Sequence, residues 1–249
     1  MEARTTDMPI SAAKTVRELA VELPQATRIF EKLGIDYCCG GGKSLQDACV
    51  QARLPVDDVL KTLEQAGVPE TKVSENGDWR QTTLRELAEH IVTKHHAYVR
   101  QEIPRLEKLL TKVVAVHGQN HPELAKVQGC FGSIAAELTS HMMKEEMVLF
   151  PYINELESAT AAGRPAPRPA FGTIRNPIRM MEMEHEAAGD ILEQIKTLTS
   201  SYTPPEEACF SYRTLFAALK DFETDLHQHI HLENNILFPR AEMLEEKAA

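Results

Sequence analysis

Apolar residues return about every 3.6 positions between Thr82 and Gly118, which is the period of one face of an α-helix. The residues on this face are Leu84, Leu87, Ala88, Ile91, Val92, Val99, Ile103, Leu106, Leu110 and Val113. Pro104 lies inside the stretch, and because proline lacks the backbone N–H that a helix needs, we expect the helix to bend there. The pattern predicts one long helix that ends near Gly118.

The same spacing predicts a second and a third long helix. Residues 122–158 carry the second, which Pro151 is expected to bend, and residues 177–200 carry the third. Between them, residues 159–172 are rich in alanine, proline and glycine, so they are expected to form a loop.

A fourth long helix is expected to open at Pro205, within the turn "SYTPPEE" of residues 201–207. It is expected to run to about His231 or beyond, with Pro239 near a bend. Residues 82–249 thus carry four long helices with loops of moderate length, and we find no strand of convincing length. This order predicts an all-α fold whose four helices form an up-down bundle.

Shorter apolar runs predict a small helical domain over residues 1–67. Its helices are expected at residues 15–23, from Pro24 to a C-cap at Gly34, after an N-cap at Ser44, and at residues 55–67 with Gly67 as the stop signal. Residues 68–79 are polar, contain proline and glycine and lack periodicity. We therefore expect a linker over residues 68–81 between this domain and the bundle.

Composition and charge narrow the classes of partner. The formal charge is −10, which argues against nucleic acid, because phosphate binding needs a surplus of Lys and Arg. No apolar run approaches the roughly 20 residues of a membrane span, and the first residues hold no apolar signal segment. Five cysteines, an odd number within helical patterns, argue against a disulfide framework. We expect a cytoplasmic protein without a membrane partner.

Two of the cysteines stand side by side in "DYCCGGG", residues 36–42. Cys38 and Cys39 alone offer too few ligands for a tetrahedral metal, and a disulfide between neighbours would be strained and easily reduced. The helix expected after Ser44 could lower a thiol pKa, and the three glycines would let the loop move. Two readings stay open: a reactive thiol pair, or a tight turn that happens to contain cysteine.

The histidines form a repeated pattern. "HMMKEEMVLFP" (141–151) and "HIHLENNILFP" (229–239) both read His, three residues, Glu, three residues, then Leu-Phe-Pro. A glutamate four residues after a histidine lies on the same face of a helix, one turn along, so the two side chains can share a metal. A single such pair is typical of a solvated pair or a core histidine, but two copies in matched context favour ligands.

Each copy has another histidine upstream at nearly the same separation. His96 precedes His141 by 45 residues, and His185 precedes His229 by 44. The bundle thus resembles two copies of one helix pair, with six candidate ligands: His96, His141, Glu145, His185, His229 and Glu233. Inward His and Glu from facing helices are a known way to build a two-metal carboxylate site. Imidazole and carboxylate without thiolate suit iron or manganese, with zinc still open.

The remaining histidines are expected to be non-ligands, with one choice unresolved by spacing. These are His90, His117, His121, His227 and His231. His95 and His96 are neighbours, so only one can be the ligand, and a straight-helix projection places His95 nearer the middle of the apolar face. The bend expected at Pro104 makes that projection unreliable.

Four motifs carry a resemblance to a known family: "DYCCGGG", "SHMMKEEMVLFP", "MEMEHEAAG" and "HLENNILFPRA". In this order they resemble the RIC family, the iron–sulfur cluster repair di-iron proteins of the YtfE/ScdA type, over nearly the whole chain. The resemblance implies a hemerythrin-like bundle holding two non-haem iron ions with carboxylate and oxo-type bridges. It implies terminal ligands at His96 (rather than His95), His141, His185 and His229, bridges at Glu145 and Glu233, and acidic residues near an access channel at Glu137 and Glu184.

Three functions fit such a centre. The resemblance favours repair of, or iron supply to, iron–sulfur clusters damaged by nitrosative or oxidative stress, with cluster proteins as clients. Reduction of nitric oxide to nitrous oxide, or sensing of nitric oxide or dioxygen, are alternatives, and a cysteine pair counts against simple dioxygen carriage. A bundle that is only an interaction module is a further alternative. We hypothesise that Cys38 and Cys39 relay electrons or receive iron, and a homodimer is left open.

Overall fold

The computed structural model describes residues 10–23, 25–66 and 78–248. The chain divides into two compact units, Met1–Arg80 and Gln81–Ala249. The all-α prediction is confirmed: within the described ranges there are helices and no strand, apart from an isolated antiparallel bridge between Thr15 and Ser44. Gly67 and most of the predicted linker lie outside the described residues, so the domain bounds stay a prediction.

The described part of the first unit contains four short helices: α1 (Val16–Glu22), α2 (Ala26–Leu33), α3 (Leu45–Ala52) and α4 (Val56–Ala66). Their ends follow local chemistry. Thr15 and Glu18 form a capping box at α1, Gly34 ends α2 with a φ of 67°, and Ser44 accepts from the Asp47 N–H to cap α3. The predicted caps at Gly34 and Ser44 are confirmed, whereas Pro24 lies outside the described residues.

The first two long helices of the second unit are each interrupted by a π-helical turn. The first consists of α5 (Leu84–His90), π1 (Ile91–His96) and α6 (Ala97–His117). The second consists of α7 (Glu123–Lys144), π2 (Glu145–Leu149) and α8 (Phe150–Ala161). The first helix continues through Pro104, and its departure from α geometry lies earlier, at π1.

The third long helix is α9 (Arg175–Leu198), and the fourth consists of α10 (Phe210–Leu232), π3 (Glu233–Leu237) and α11 (Phe238–Ala248). The prediction that Pro205 opens the fourth helix is wrong. The Ala208 N–H bonds to the Pro205 carbonyl in a single turn, and the Arg213 side chain donates to the carbonyls of Ala208 and Glu206. These hydrogen bonds satisfy the backbone carbonyls of Pro205, Glu206 and Ala208 without a helix. The helix therefore begins five residues after Pro205, at Phe210.

The long helices pack side by side around one core. α6 packs against α7 and α10, and α7 packs against α9. The largest fully buried side chains of this unit include Phe131, Tyr212, Phe222 and Phe238. The π turns lie in the same layer of the bundle as the candidate ligands, so the packing of this layer decides the geometry of the site.

Candidate metal centre

Each π turn contains one candidate ligand at its boundary. His96 is the last residue of π1, Glu145 the first of π2 and Glu233 the first of π3. A π turn is wider than an α turn and rotates the residues around it, and such turns occur frequently at functional sites. Pro151 and Pro239 each follow a π turn by two residues, where the widened backbone avoids the clash of proline with the carbonyl four residues earlier.

The structure brings the six predicted ligands together. All six are buried, and they form two groups whose ligand atoms lie within 4.8 Å of one another. The first group is His96, His229, Glu145 and Glu233, and the second is His141, His185, Glu145 and Glu233. Both glutamates therefore belong to both groups.

Each glutamate presents one oxygen to each group. Glu145 Oε2 lies 3.3 Å from His96 Nε2, and Glu145 Oε1 lies 3.3 Å from His141 Nε2. On the opposite side, Glu233 Oε1 lies 3.1 Å from His229 Nε2, and Glu233 Oε2 lies 3.2 Å from His185 Nε2. This is the arrangement in which two carboxylates bridge two cations.

The histidines within each group face one another through the same ring atom. His96 Nε2 lies 3.1 Å from His229 Nε2, and His141 Nε2 lies 3.0 Å from His185 Nε2. Two imidazole lone pairs at this distance repel unless a cation, a proton or a metal ion, lies between them. Metal–nitrogen bonds of about 2.1 Å place two neighbouring ligand nitrogens about 3.0 Å apart, so the observed spacing fits a shared metal ion.

The buried oxygens also fit a cation. Both oxygens of Glu145 and Oε2 of Glu233 lack a hydrogen-bond partner among the described residues. Buried carboxylates without donors are costly unless a positive charge is close. Burial acts to raise the pKa of Glu233, yet the imidazoles of His229 and His185 hold it well below its usual range. Burial acts to lower the pKa of His141, but the neighbouring carboxylates, Glu145 first among them, together outweigh burial and raise the pKa of that ring to about 9. The pocket therefore favours bound positive charge.

Polar side chains hold three of the four imidazole rings from behind. His96 Nδ1 lies 2.6 Å from Glu146 Oε1, which also accepts from Arg100 at 2.8 Å. Such contacts at Nδ1 leave Nε2 free to bind metal and fix the orientation of the ring.

The second group has two contacts of the same kind. His141 Nδ1 lies 2.9 Å from Glu184 Oε2, and Glu184 also pairs with Lys144. His185 Nδ1 lies 2.8 Å from Asn234 Oδ1. Glu184 is thus placed behind a ligand. Glu137 lies on the exposed face of α7, and its predicted role near a channel stays a prediction.

Sequence reasoning missed Glu146 and Asn234 as partners of the ligand rings. Both directly follow a candidate bridging glutamate, in Glu145-Glu146 and Glu233-Asn234. Their shared place in the two matched motifs is the signal that could have found them.

His95 and His96 are both buried, and they take different partners. His96 belongs to the first ligand group, whereas His95 Nδ1 lies 3.0 Å from Asp225 Oδ1. The π1 turn, which ends at His96, is the local reason that a straight α-helical projection does not show which neighbour joins the ligand group. The bend expected at Pro104 was the reason to distrust the projection, but Pro104 lies beyond this turn.

The five other histidines belong to neither ligand group. His90 is partly buried, and burial together with His95 lowers its pKa to about 4. His117 is the last residue of α6 and His121 lies in the turn that follows it; their Nε2 atoms approach Cys209 Sγ at 3.1 Å and Glu207 at 3.3 Å, respectively. His231 Nδ1 lies 2.7 Å from the Asn235 side-chain amide.

Cys38 and Cys39 lie in a closed turn of the first unit. Their sulfur atoms are 3.9 Å apart and form no disulfide. The Asp36 carboxylate accepts hydrogen bonds from the backbone N–H groups of Cys38, Cys39 and Gly40 at 3.0, 3.0 and 2.8 Å. The expectation of a lowered thiol pKa is wrong for Cys38: the hydrogen bond to Cys39, burial and the nearby Asp36 charge raise it well above its usual value.

The glycines of this turn serve close packing. A Cβ on Gly41 would lie 2.7 Å from the Tyr37 carbonyl oxygen, and one on Gly40 would lie 2.8 Å from Asp36 Oδ2. Gly41 also accepts from the Arg17 N–H through its carbonyl at 2.8 Å. Gly41 is thus required by the shape of the turn, because its Cβ would meet backbone, whereas a Cβ on Gly40 would meet the Asp36 side chain.

Within the described residues, no helix is both long and apolar enough to cross a membrane.

Two family models match the chain. Residues 87–241 match the hemerythrin HHE cation binding domain, and residues 12–67 match the ScdA_N domain, described as a domain of unknown function (DUF542). The first match contains all six candidate ligands, and the second contains the cysteine pair.

Curated relatives align over almost the full chain. A probable iron–sulfur cluster repair protein of Haemophilus influenzae is 40% identical over 95% of this chain and 99% of its own length. The iron–sulfur cluster repair proteins YtfE of Yersinia pseudotuberculosis and Pectobacterium atrosepticum are 39% and 37% identical, over 90% and 92% of this chain and 94% and 96% of their own.

Proposed function

The chain belongs to the family of iron–sulfur cluster repair proteins that carry a hemerythrin HHE cation binding domain, and we propose that it repairs clusters damaged by nitrosative or oxidative stress, or supplies them with iron, from a centre of two iron ions. The observation that supports this most directly is the pair of glutamates, Glu145 and Glu233, each with one oxygen toward either histidine pair.

The proposed ligands divide into bridges and terminal ligands. Glu145 and Glu233 hold two cations at a fixed separation, because each carboxylate spans both groups. Each histidine pair, His96 with His229 and His141 with His185, offers two Nε2 atoms to one position. When bound, the iron pair with an oxo-type bridge would supply redox chemistry and a place for a diatomic molecule.

The charge of the surroundings suits a centre that is loaded and emptied. Two buried carboxylates offset part of the charge of two cations, and the partly exposed carboxylates of Glu146 and Glu184 offset more. These outer carboxylates also pair with Arg100 and Lys144 at the surface. When the cations leave, Glu145 and Glu233 remain as buried carboxylates without metal charge beside them, so the emptied centre favours uptake of new cations.

The deciding experiment is restoration of a damaged cluster enzyme. Iron-loaded pure protein should restore activity to an enzyme whose iron–sulfur cluster was inactivated by nitric oxide or peroxide. A Glu145→Ala chain should restore none, while Glu155→Ala, an exposed glutamate on α8, should act like the unaltered protein. Failure to restore activity by the unaltered, loaded protein would overturn the proposal.

Nitric oxide reduction is the second candidate. A cavity of about 280 Å³ lies against the first two long helices, lined by Ile103, Met142, Met143, Met147 and the outer contacts Arg100 and Glu146, with Thr139. Its wall is largely apolar, which suits a small uncharged gas. The cavity also contacts Glu146, the side chain that lies behind His96. Nitrous oxide formed over many turnovers, without cluster repair, would favour this function.

The setting and the role of the thiols complete the proposal. We propose a cytoplasmic protein with iron–sulfur proteins as clients and nitric oxide as a ligand, without nucleic acid as a partner. We leave a homodimer open; sedimentation would detect it as a particle of twice the mass of one chain. Cys38 and Cys39 are proposed to pass electrons or iron, which requires the turn to open around the buried Cys38; full repair by the Cys38→Ser/Cys39→Ser protein would exclude this role.

A further inference from the structure

The two halves of the centre are held differently, and we propose that the ion between His96 and His229 is the exchangeable one, released before the ion between His141 and His185. The inference rests on the proposed two-iron centre and names which position delivers iron. The difference lies in what stands behind the four imidazole rings.

Three rings have an oxygen acceptor at Nδ1. Glu146 stands behind His96, Glu184 behind His141 and Asn234 behind His185, at 2.6, 2.9 and 2.8 Å. In each case the acceptor comes from the next long helix of the bundle. An imidazole held in this way keeps its tautomer and its direction, and its Nε2 becomes a better ligand.

His229 is held differently. Its ring is buried, and its Nδ1 has no hydrogen-bond partner among the described residues. The ring beside it is that of His95, which lies parallel at an interplanar angle of 7° with centroids 5.6 Å apart. Contact of this kind packs the ring without fixing which nitrogen carries the proton.

The internal repeat shows why the two halves differ. The residue before His185 is Glu184, and it accepts from His141. The residue before His96 is His95, which occupies the matching place in the sequence but offers a ring where Glu184 offers a carboxylate. His95 Nδ1 instead lies 3.0 Å from Asp225 Oδ1, so its polar contact is directed away from His229.

The chemical consequence is a difference in metal affinity between the halves. Loss of a contact behind a ligand histidine typically lowers metal affinity about 10- to 100-fold. The half that contains His229 lacks one such contact, so its ion should leave faster by a similar factor. Glu145, Glu233 and the second histidine pair would keep the other ion, and the pocket would stay formed for reloading.

Release of iron to a chelator tests this directly. The protein, loaded with two ferrous ions under anaerobic conditions, is mixed with excess chromogenic ferrous chelator and the release is followed in time. We expect two phases of one ion each, with rates about 10- to 100-fold apart. The His229→Ala protein should show the slow phase alone and the His185→Ala protein the fast phase alone. Release of both ions in a single phase, or the reverse assignment, would overturn the inference.

Variants of the residues that stand behind the ligand histidines, called anchors below, test the inference without removing a ligand. The His95→Glu/Asp225→Asn protein places a carboxylate behind His229 without a second acid beside it, and its fast phase should slow toward the slow one. The Glu184→Ala protein should speed its slow phase about 10- to 100-fold. Glu186→Ala, an exposed glutamate two residues along α9, should change neither rate. Thermal melting checks that each variant is folded, and unchanged rates in both anchor variants would refute the inference.

The outcome is separable from the proposed function. Two phases from a protein that repairs no cluster would refute repair and leave the unequal halves standing. A single phase from a protein that does repair would do the opposite. A folded chain that binds one ion at most would overturn both.

Discussion

In the turn after α2, the Asp36 carboxylate accepts from three backbone N–H groups and Cys38 is buried with a raised pKa. In the bundle, the Glu145 carboxylate has no hydrogen-bond partner among the described residues, and four Nε2 atoms converge on it and on Glu233. Both regions carry side chains of types that can bind metals. The difference teaches that unpaired ligand atoms, more than ligand types, mark a metal site.

Removal of a bridging glutamate should have the largest effect on metal binding. Because Glu145 contributes one oxygen to each group, the Glu145→Ala change removes a ligand from both halves. We expect less than one ion per chain by elemental analysis, and the same for Glu233→Ala. Two ions in either variant would place the bridges elsewhere, with Glu155→Ala as the exposed control.

Removal of a terminal histidine should affect one half. His96→Ala is expected to keep one ion, held by His141 and His185, because both bridging carboxylates remain. His95→Ala should keep both ions, since His95 contacts Asp225 and belongs to neither ligand group. Elemental analysis of the two variants decides between the neighbours, and full iron in His96→Ala would refute our assignment.

A residue behind a ligand should have a smaller effect. Glu146→Ala removes the acceptor behind His96 and the partner of Arg100, and is expected to weaken one ion about 10- to 100-fold without abolishing binding. Competition with a chelator of known affinity measures this. Equal affinity before and after the change would show that the ring is held by packing alone.

The cysteine pair should have no effect on metal content. The Cys38→Ser/Cys39→Ser protein is expected to bind two ions with unchanged affinity, because the bundle groups contain no thiol. The same elemental analysis measures it. A fall in bound iron would mean that the thiols take part in holding the metal, and the contrast between the two regions would fail.

The sequence predicted the helices well where local chemistry decides them. The periodic apolar face of residues 82–118, the cap at Ser44 and the left-handed Gly34 all follow from a few neighbouring residues. The start of the fourth helix was missed because Arg213 satisfies the carbonyls of the preceding turn, and such a contact is not visible in a local pattern.

Repetition in the sequence predicted the candidate ligands, but it did not predict the residues that surround them. Two matched His–Glu motifs indicated four of the six residues that the structure brings together, the upstream histidines added His185 and the pair His95–His96, and the family resemblance chose His96. The π turns could not be read from a fixed 3.6-residue period, although the paired Leu-Phe-Pro endings mark two of them. The partners Glu146 and Asn234 depend on contacts between helices, and the raised pKa of Cys38 depends on its hydrogen bond to Cys39 and on burial.

The central claim is that Glu145 and Glu233 bridge two iron ions between two histidine pairs. Anaerobic loading with ferrous iron, elemental analysis and an absorption spectrum after oxidation test it together. We predict two iron ions per chain and the absorption bands of an oxo-bridged diferric pair. One ion or none per folded chain, or a spectrum without those bands, would contradict the claim.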